Sequence, residues 1–398
     1  MGIHRGPNTV KDGLVFGYDT GYGVADNSTA TRFYPGQPTT NLYTNPDFSN
    51  GETGWTFSSW SSNSVTHTAT TVVGPSGNIV SANKLYMGVN GGSVHFHQYN
   101  GSKYTSGNTY TTSAWVKGTG TFQIKSHWGG NTSFTMTGEW QRVSMTVTAT
   151  SSINGNFPYF AGEGLAVGSD FYITDTQTEL NSHATPYFSG TRSSTASLID
   201  LKRTTNIDVS NVSFDSTGQP TFDGSDDYIS IDVDSWIRSV NSVTIEGVVI
   251  IPSGVSLTGG PWSILTDHST NSDKDGFWWH MNLGGYTYFR VEDAVSGEQG
   301  ITFTGAPSVA SGNTYHIVTI VGLNSVKIYV NGVLSKSYTP TFNWANVSAS
   351  HTASLFIGRT YPSYWLNSTN PVVKVYDVAL TEAEIKQNYN SYKNRFDI

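Results

Sequence analysis

A stretch of alternating side chains within Phe222–Val233, FDGSDDYISIDV, constrains the fold of this chain more than any other feature. After a turn rich in aspartate, glycine and serine, polar and apolar side chains alternate from Tyr228 onward. A period of two places successive side chains on opposite faces of a β-strand. The stretch therefore predicts a half-buried strand at the start of a β-sandwich core.

The composition of the whole chain favours the same class of fold. Only 13% of its 398 residues are charged, glycine occurs 42 times, and the bulky side chains include 22 Tyr, 19 Phe and 11 Trp. Such a mixture favours twisted strands joined by tight turns over helices. Single hydrophobic cores rarely grow beyond about 250–300 residues, so the length indicates two domains. We predict an all-β protein with two antiparallel β-sandwich (jelly-roll) domains.

Charge and cysteine content exclude several functional classes. The chain has 21 basic and 29 acidic residues, a net charge of −8 that makes nucleic acid and anionic membrane poor partners. It contains no cysteine, which removes disulfides, thiolate metal sites and cysteine nucleophiles. The first residues lack the continuous apolar run of a secretory signal or a membrane helix, so we expect folding in the cytoplasm.

Four strings of sequence organise the segment 41–190. They are Asn41–Trp55 (NLYTNPDFSNGETGW), Tyr104–Gly118 (YTSGNTYTTSAWVKG), Glu139–Val147 (EWQRVSMTV) and Phe171–Leu180 (FYITDTQTEL). In this order they resemble the anchor positions of the carbohydrate-binding jelly rolls grouped as families 4 and 9. The resemblance implies a jelly-roll module over 41–190 that binds a glycan.

The same resemblance implies a structural calcium ion between the first and last strands. Asp175 falls on the family's usual acidic position, but Ser49 stands where the family has glutamate, and Thr174 replaces the first aspartate of the closing pair. Calcium requires oxygen ligands, and Asp47 and Asp175 are the candidates. The alternative is that a turn aspartate caps its own backbone.

Candidate sugar-binding residues follow from side-chain type and period. Sugar sites in β-sandwich modules combine flat aromatic faces with polar side chains for the hydroxyls. In Ser93–Tyr99 the period of two places both histidines and the tyrosine on one face. The carbohydrate-binding candidates in this module are Trp60, His95, His97, Tyr99, Trp115 and Trp128. Ordinary packing is the alternative for each, and a metal site at the two histidines has no third ligand that the sequence can nominate.

Residues 191–398 predict the second sandwich. The hairpin within Ser325–Tyr338 turns at Asn331-Gly332, a pair that suits a type I′ turn. Thr381 and Glu384 have the spacing of a capping box, which predicts a short C-terminal helix. Together with the FDG stretch and the string LFIGR, these segments resemble laminin-G-like domains of the concanavalin A-like lectin/glucanase class, which implies binding to a ligand that the resemblance does not name.

The adjacent pair Trp278 and Trp279 lies on a predicted strand of this second domain. Neighbouring residues of a strand face opposite sides, so we expect one ring to be buried and one to be available, and Trp278 joins the carbohydrate-binding candidates. Glucanases of this fold carry three acids on one strand, as E-x-D-x-E or E-x-D-x-x-E. The chain has no such run, so we expect no catalytic activity.

The N-terminal segment 1–40 contains one predicted strand, over 12–20 (DGLVFGYDT). Simple members of the lectin-like family often begin with a similar string, which a single loop of the DLSGNGNNG type joins to the FDG strand. Our hypothesis is that the module at 41–190 is inserted into the domain completed by 191–398, and that the strand at 12–20 belongs to the sheet of that domain. The alternative is an anchoring arm that holds a partner chain.

The order of these parts resembles virion proteins of tailed bacteriophages, of the fibre or decoration type. This resemblance implies assembly in the host cytoplasm, a final location in the virion, and two kinds of partner, namely other virion proteins and cell-surface or environmental glycans. It also implies a homo-oligomer. The alternative is a non-viral carbohydrate-binding adhesin or accessory module.

Overall fold

The computed structural model describes most of the chain and divides it into two compact units. The described residues are 9–20, 37–60, 65–75, 77–88, 93–98, 104–126, 128–151, 158–198, 200–202, 204–215, 218–231, 240–256, 262–266, 276–282, 286–293, 297–301, 309–322, 325–339, 354–360 and 364–398. Unit 1 comprises 1–37 and 194–398, and unit 2 comprises 38–193. The architecture is all-β with one C-terminal α-helix, which confirms the predicted fold class.

The strands are numbered in chain order. The first thirteen are β1 (Leu14–Asp19), β2 (Thr39–Thr40), β3 (Thr56–Trp60), β4 (Val65–Val73), β5 (Ile79–Met87), β6 (Ser93–His97), β7 (Thr109–Lys117), β8 (Thr119–Lys125), β9 (Asn131–Thr137), β10 (Gln141–Thr148), β11 (Tyr159–Leu165), β12 (Asp170–Glu179) and β13 (Thr191–Arg192). The others are β14 (Ile207–Ser210), β15 (Ser213–Phe214), β16 (Pro220–Asp223), β17 (Tyr228–Ile231), β18 (Ser242–Ile250), β19 (Trp262–Thr266), β20 (Gly276–Asn282), β21 (Tyr286–Asp293), β22 (Gly297–Ile301), β23 (Thr314–Gly322), β24 (Ser325–Val330), β25 (Val333–Tyr338), β26 (Leu355–Ile357), β27 (Arg359–Thr360), β28 (Tyr364–Trp365) and β29 (Asn367–Tyr376). A 3₁₀ turn spans Ser194–Ala196, and the helix α1 spans Glu382–Phe396.

Unit 2 is a sandwich of two five-stranded antiparallel sheets. Sheet I has the order β3-β6-β11-β8-β9, and sheet II has the order β10-β7-β12-β5-β4. Alternate side chains of these strands enter one aromatic core, in which Trp55 stacks on Phe48 with ring centroids 5.1 Å apart. Aromatic pairs at this separation are worth about 0.5–1.5 kcal/mol beyond the area that they bury. The other face of each strand is left for polar contacts.

The two ends of unit 2 lie side by side. Thr40 pairs with Thr191, and Thr39 pairs with Arg192, in a two-stranded ribbon of β2 and β13. The buried carboxylate of Glu179 accepts hydrogen bonds from the Thr39 hydroxyl at 2.9 Å and from the Thr185 hydroxyl at 2.7 Å. Adjacent ends are the geometry that an inserted module requires.

Unit 1 is a larger sandwich. Sheet III has seven strands in the order β14-β17-β26-β19-β20-β21-β22, and sheet IV has eight, with β15-β16-β29-β18-β23-β24-β25 in sequence and β1 paired to β29. The core cluster contains the apolar partners of the FDG stretch, Ile229 and Ile231, both fully buried. The alternation from Tyr228 onward therefore does describe a half-buried strand.

The N-terminal strand β1 belongs to unit 1. It runs antiparallel to β29, with Gly17 opposite Lys374 and Asp19 opposite Val372. The backbone N–H of Leu201 donates to the carbonyl of Gly17 at 2.7 Å. The insertion hypothesis requires this pairing of residues before 38 with residues beyond 200.

Helix α1 covers the outer face of sheet IV. Thr381 is its N-cap, and Thr381 and Glu384 form the reciprocal hydrogen bonds of a capping box, as the spacing predicted. The helix buries Ile385 against Val318, and Tyr392 against Val372. With 15 residues, α1 is too short to span a bilayer, and the described part of the chain contains no helix long and apolar enough to do so.

A buried hydrogen-bond network lies between the helix and sheet IV. The Glu246 carboxylate is fully buried, with Oε1 2.7 Å from His316 Nε2. Its Oε2 accepts from the Tyr376 hydroxyl at 3.1 Å and from the Asn388 amide at 3.0 Å. Burial alone would raise the pKa of Glu246, but His316, Lys374 and Tyr376 outweigh it and lower that pKa. The side chain therefore remains ionised beneath the helix.

Candidate functional site

The outer face of sheet I carries a cluster of polar and aromatic side chains. In β6, Val94 and Phe96 enter the core, so His95 and His97 lie on the opposite face, as the period of two predicted. β6 lies between β3 and β11, where Ser58 and Ala161 are the neighbours of His95. Both histidines are therefore held on the outer face of three regular strands, where His95 is buried, with 7% of it exposed, and His97 is half-buried.

Glu163 is the centre of this cluster. Its Oε1 atom lies 2.7 Å from His95 Nε2 and 2.5 Å from Lys125 Nζ. Tyr159 in β11 pairs with Lys125 in β8, and the centroid of its ring lies 5.4 Å from that of the His95 ring. We call His95, His97, Lys125, Tyr159 and Glu163 the sheet I cluster.

The electrostatics of the sheet I cluster keep its groups in defined protonation states. Burial alone would raise the pKa of Glu163, but hydrogen bonds and charges from Lys125 and His95 together outweigh it and lower that pKa. Burial, followed by the charge of His95, lowers the pKa of His97. Around neutral pH the cluster therefore presents an ionised carboxylate and a neutral His97 imidazole, which has one donor and one acceptor nitrogen.

Gln123 lies two residues before Lys125 in β8, and its side chain has an acceptor atom without a hydrogen bond. Its Nε2 donates to the Ser133 hydroxyl at 3.1 Å, whereas its Oε1 is buried without a hydrogen-bond partner. Native proteins leave few buried polar atoms unpaired, and such atoms are frequently found where a ligand or water binds. Gln123 extends the polar surface from the sheet I cluster toward β9.

The structure separates the residues that the sequence analysis grouped as sugar-binding. Trp115 is half-buried in sheet II, paired with Arg142 on one side and Thr174 on the other. Trp60 is the last residue of β3, opposite Ser93, and the structure describes only its backbone position. Tyr99 lies outside the described residues. The two histidines are thus the candidates that the structure brings together.

Trp128 has contacts typical of a packed residue. It lies edge-on to Tyr104 at 5.1 Å and stacks on Tyr110 at 6.2 Å, and its Nε1 donates to the Ser151 carbonyl at 3.1 Å. The three rings form a small satellite cluster beside the main core of unit 2. The Trp128 side chain is only partly buried, so a ligand contact there remains a prediction.

The expectation that one of the paired tryptophans is available is wrong. Trp279 is fully buried, with Nε1 donating to Thr319 at 2.9 Å, but Trp278 is also only 8% exposed. The Trp278 Nε1 atom donates to Thr360 at 2.8 Å, and the Arg290 guanidinium lies over its ring at 5.2 Å. The Trp278 ring does lie on the opposite face of β20 from Trp279, but the Arg290 side chain of the neighbouring strand covers it there.

The donors at the proposed calcium position do not fit a calcium site. Asp47 Oδ1 accepts from the backbone N–H and hydroxyl of Ser49, at 3.1 and 2.8 Å, which is the alternative of a turn aspartate that caps its own backbone. The Arg142 guanidinium donates to the backbone carbonyl of Asp175 at 2.8 Å and brings a positive charge to the position. Calcium requires about six to eight oxygen ligands, and no third carboxylate joins this pair among the described residues.

Asp175 makes a pH-dependent contribution to stability that we expect the Asp175→Asn variant to remove. Burial raises its pKa from 3.8 to about 6, Arg142 lowers it, and Asp47 raises it further. A raised acid pKa favours folding at low pH, and this contribution is lost as pH rises from about 4 to about 6. A tenfold change in the acid dissociation constant corresponds to about 1.4 kcal/mol. Denaturant unfolding of the variant at pH 7 should therefore show unit 2 stabilised by about 3 kcal/mol.

Adding and removing calcium is the control for this prediction, because a calcium site at Asp175 would make stability depend on the ion. Asparagine tolerates the positive φ of 50° at this position, so the substitution introduces no backbone strain. Chelator or millimolar calcium should leave the unfolding midpoint of the wild-type unit 2 unchanged. Parallel pH profiles for wild type and variant, or a calcium-dependent midpoint, would contradict this account of Asp175.

A second acidic group lies in unit 1, at the turn of the FDG stretch. Asp223, Asp226 and Asp227 have carboxylate oxygens within 4.8 Å of one another. The Asp227 carboxylate accepts from the backbone N–H of Asp223 at 2.7 Å, and the Asp223 carboxylate accepts from the N–H of Ser225 at 2.7 Å. These bonds are those of a turn that stabilises itself.

Sequence reasoning missed most of the sheet I cluster. The period of two in YFAGEGL places Tyr159 and Glu163 on one face of β11, and the same period in β8 places Gln123 with Lys125. Both patterns are legible in the sequence. The pairing of β11 between β6 and β8, which brings Glu163 to His95, is a long-range register that the local pattern does not encode.

Comparison with known proteins supports the fold of unit 1. Residues 223–386 match the family model Laminin_G_3, described as the concanavalin A-like lectin/glucanases superfamily. This part of the chain therefore has the concanavalin A-like lectin fold. None of the curated proteins compared with this chain matches it in sequence.

Solved structures give more distant likenesses. A binding domain of botulinum neurotoxin DC in complex with rat synaptotagmin II has 14% identity and a TM-score of 0.40, covering 49% of each chain. A structure reported under "Cell entry of botulinum neurotoxin type C is dependent upon interaction with two ganglioside molecules" has 16% identity and a TM-score of 0.38, covering 49% of this chain and 48% of that chain. Domain 4 of AbnA, a GH43 extracellular arabinanase from Geobacillus stearothermophilus in complex with arabinotriose, has 16% identity and a TM-score of 0.34, covering 46% of this chain and 81% of that chain. The matched region spans about half the length of the neurotoxin chains, and likenesses at this level carry no argument about function.

Proposed function

We propose that this protein binds carbohydrate through the outer face of sheet I and has no catalytic activity. The observation that carries the proposal is the sheet I cluster, in which Glu163 is held at 2.7 Å from His95 and at 2.5 Å from Lys125, beside the Tyr159 ring. The lectin-like fold of unit 1 and the resemblance of 41–190 to carbohydrate-binding jelly rolls support the same class of function.

The chemistry of the sheet I cluster suits sugar hydroxyls. A hydroxyl both donates and accepts, and the accessible groups of the cluster are the Glu163 carboxylate, which accepts, and the neutral His97 imidazole, which has one donor and one acceptor nitrogen. The mutual hydrogen bonds of Glu163 fix these groups before a ligand arrives, so less side-chain entropy is lost on binding. The Tyr159 ring supplies the flat apolar surface on which a pyranose ring can stack.

Binding without hydrolysis is favoured by the number of carboxylates. Glycosidases need two carboxyl groups flanking the scissile bond, at about 5–5.5 Å or about 6.5–9.5 Å apart. Glu163 is the carboxylate of the sheet I cluster, and its short contacts to Lys125 and His95 keep its pKa low. A carboxyl with a lowered pKa is poorly suited to act as the general acid of a glycosidase.

Replacing Tyr159 with alanine should weaken glycan binding at least tenfold. The variant removes the stacking surface and leaves Glu163, His95 and Lys125 in place. We would screen the wild-type protein against cellulose, xylan, laminarin and alginate, and then measure Kd for the tightest binder by titration calorimetry. The matched control is Tyr172→Ala, a half-buried tyrosine of sheet II, which should leave Kd within twofold of wild type.

Two results would contradict the assignment of binding to sheet I. One is an unchanged Kd in the Tyr159→Ala variant. The other is a large loss in a Trp115→Ala variant, since Trp115 belongs to sheet II and lies away from the cluster. Release of reducing sugar from any of the bound polysaccharides would refute the proposal that the protein is not an enzyme.

We further propose that the protein is a structural component of a phage virion, of the fibre or decoration type, as a homo-oligomer. The support is the sequence resemblance to tailed-bacteriophage virion proteins. The proposed location is the virion surface after assembly in the host cytoplasm, with other virion proteins and environmental or host glycans as partners. Mass spectrometry of purified particles tests this role. Absence from the particles would favour the alternative, a non-viral adhesin or accessory module.

A further inference from the structure

Arg359, in unit 1, lies against two aromatic rings on the face of sheet III opposite its core. Its guanidinium carbon lies 4.1 Å from the centroid of the Tyr228 ring and 4.0 Å from the centroid of the Phe356 ring. In the ribbon of β27 and β28, Arg359 pairs with Trp365, whose ring centroid is 6.5 Å from that of Tyr228. Two aromatic rings therefore contact the cation, and a third lies beside Tyr228.

The guanidinium has no acceptor among the described residues. Its contacts there are the two cation–π contacts and the electrostatic effect of Tyr228. A guanidinium carries five N–H donors in a planar fork and remains charged at all physiological pH values. Arg359 is half-buried, so part of its side chain is accessible to a ligand.

Other arginines of the chain show what a structural guanidinium looks like here. Arg395 donates to both carboxylate oxygens of Asp19, at 2.6 and 3.1 Å. Arg142 donates to the Asp175 carbonyl at 2.8 Å and to the Ser113 hydroxyl at 2.7 Å. Arg359 differs because the protein places two aromatic rings, 5.9 Å apart and nearly perpendicular, against its guanidinium and supplies no acceptor for its N–H groups among the described residues.

The backbone around Arg359 is fixed. Gly358 has a φ of 96° and packs so closely on the Phe222 ring that a Cβ there would lie 2.5 Å from Cδ1. The Leu366 N–H donates to the Gly358 carbonyl at 2.8 Å, which closes the ribbon. The arginine is therefore presented by a rigid element, as a preorganised site requires.

The acidic turn that precedes Tyr228 does not neutralise Arg359. Asp223, Asp226 and Asp227 interact with one another and with backbone N–H groups of the turn. None of the three carboxylates is among the groups that act on Arg359. The positive charge of the guanidinium is thus available to an external anion.

We propose that Arg359, with Tyr228, Phe356 and Trp365, forms a binding subsite for an anionic saccharide, whose carboxylate or sulfate group docks on the guanidinium. Both groups present two coplanar oxygens that match the arginine fork. Trp365 is half-buried, with its ring centroid 6.5 Å from that of Tyr228, and the neighbouring Tyr364 is 37% exposed; aromatic rings of this kind are the flat faces on which a sugar ring stacks. The subsite lies in unit 1 and does not depend on the sheet I cluster of unit 2.

The test uses the full chain with the Tyr159→Ala substitution, so that binding by the sheet I cluster is weakened and is the same in every variant compared. Oligogalacturonate provides the carboxylate, dextran sulfate provides the sulfate, and neutral dextran is the uncharged probe, each titrated at constant ionic strength. We expect saturable binding of at least one anionic probe. Arg359→Met should raise its Kd at least tenfold, and Arg359→Lys should raise it severalfold because lysine keeps the charge but loses the fork.

The matched control is Lys386→Met, which removes a charge from another cation–π pair of unit 1, with Tyr389 at 5.6 Å on helix α1. Its Kd should stay within twofold of the parent, and thermal unfolding should show that the Arg359 variants are folded. Three results would overturn the proposal: no saturable binding of either anionic probe, equal binding of neutral dextran, or equal losses in the Arg359→Met and Lys386→Met variants. The relative Kd of oligogalacturonate and dextran sulfate identifies the group that the subsite prefers.

Discussion

The Glu246→Ala variant should lose about 3–5 kcal/mol of the free energy of unfolding of unit 1, because it breaks a buried charged network from one side. The substitution removes the acceptor for His316 Nε2, the Tyr376 hydroxyl and the Asn388 amide. It also leaves the buried Lys374 with less compensation, since burial lowers the pKa of that amine while Asp19 and Glu246 raise it. Hydrogen exchange of β18 and β23 amides measures the loss within unit 1.

A second variant of Glu246 separates charge from hydrogen bonding, and a substitution elsewhere in unit 1 serves as the control. Glu246→Gln keeps one carbonyl acceptor and removes the negative charge. Its free energy of unfolding should therefore lie between those of the wild type and the alanine variant. Asp208→Ala removes an exposed carboxylate from β14 and should change stability by less than about 0.5 kcal/mol. A Glu246→Ala loss no larger than that of Asp208→Ala would show that the network does not hold α1 on sheet IV.

The Gly358→Ala variant should lose about 3–5 kcal/mol from unit 1, the sum of a backbone and a packing cost. The positive φ of 96° strains any residue other than glycine by about 1–3 kcal/mol. The added Cβ would also lie 2.5 Å from Phe222 Cδ1 and 3.0 Å from the Asp227 carbonyl, and overpacking typically costs about 1–3 kcal/mol. Urea unfolding resolved by hydrogen exchange of β16 and β26 gives the combined loss.

Gly254 is the matched control for the steric part of this prediction. It has a φ of 79°, but nothing lies within 4 Å of the position its Cβ would take. Gly254→Ala should therefore cost only the backbone strain, and the difference between the two variants measures the contact with Phe222. Equal losses in the two variants would mean that the Phe222 ring moves aside freely.

Local patterns in the sequence predicted the elements of the fold well. The capping box at Thr381 and Glu384 marks the start of α1, because these two side chains satisfy the first backbone donors of the helix themselves. Asn331 and Gly332 have positive φ values of 51° and 74°, as the predicted type I′ turn requires. Both features depend on residues close together in the chain, so the sequence states them directly.

The sites were less predictable because they depend on strand register. Glu163 reaches His95 only because β11 lies between β6 and β8, and Arg359 meets Tyr228 only because β26 pairs with β17. Trp278 shows the converse, since its face of β20 is open by period-two counting but is covered by Arg290 from the next strand. Side-chain direction follows from the local period, whereas the neighbours across a sheet follow from contacts far apart in the chain.

The pairing of β1 with β29 determines the order in which the two units can be completed as the chain leaves the ribosome. The Val10 amide donates to the Asn388 side chain, 378 residues later, which at about 5–20 residues per second is a delay of roughly 20–75 s. All strands of unit 2 emerge within that interval, so the module between them can fold while β1 still lacks its partner. Unit 1 closes last, after translation has supplied β29 and the helix that covers its sheet.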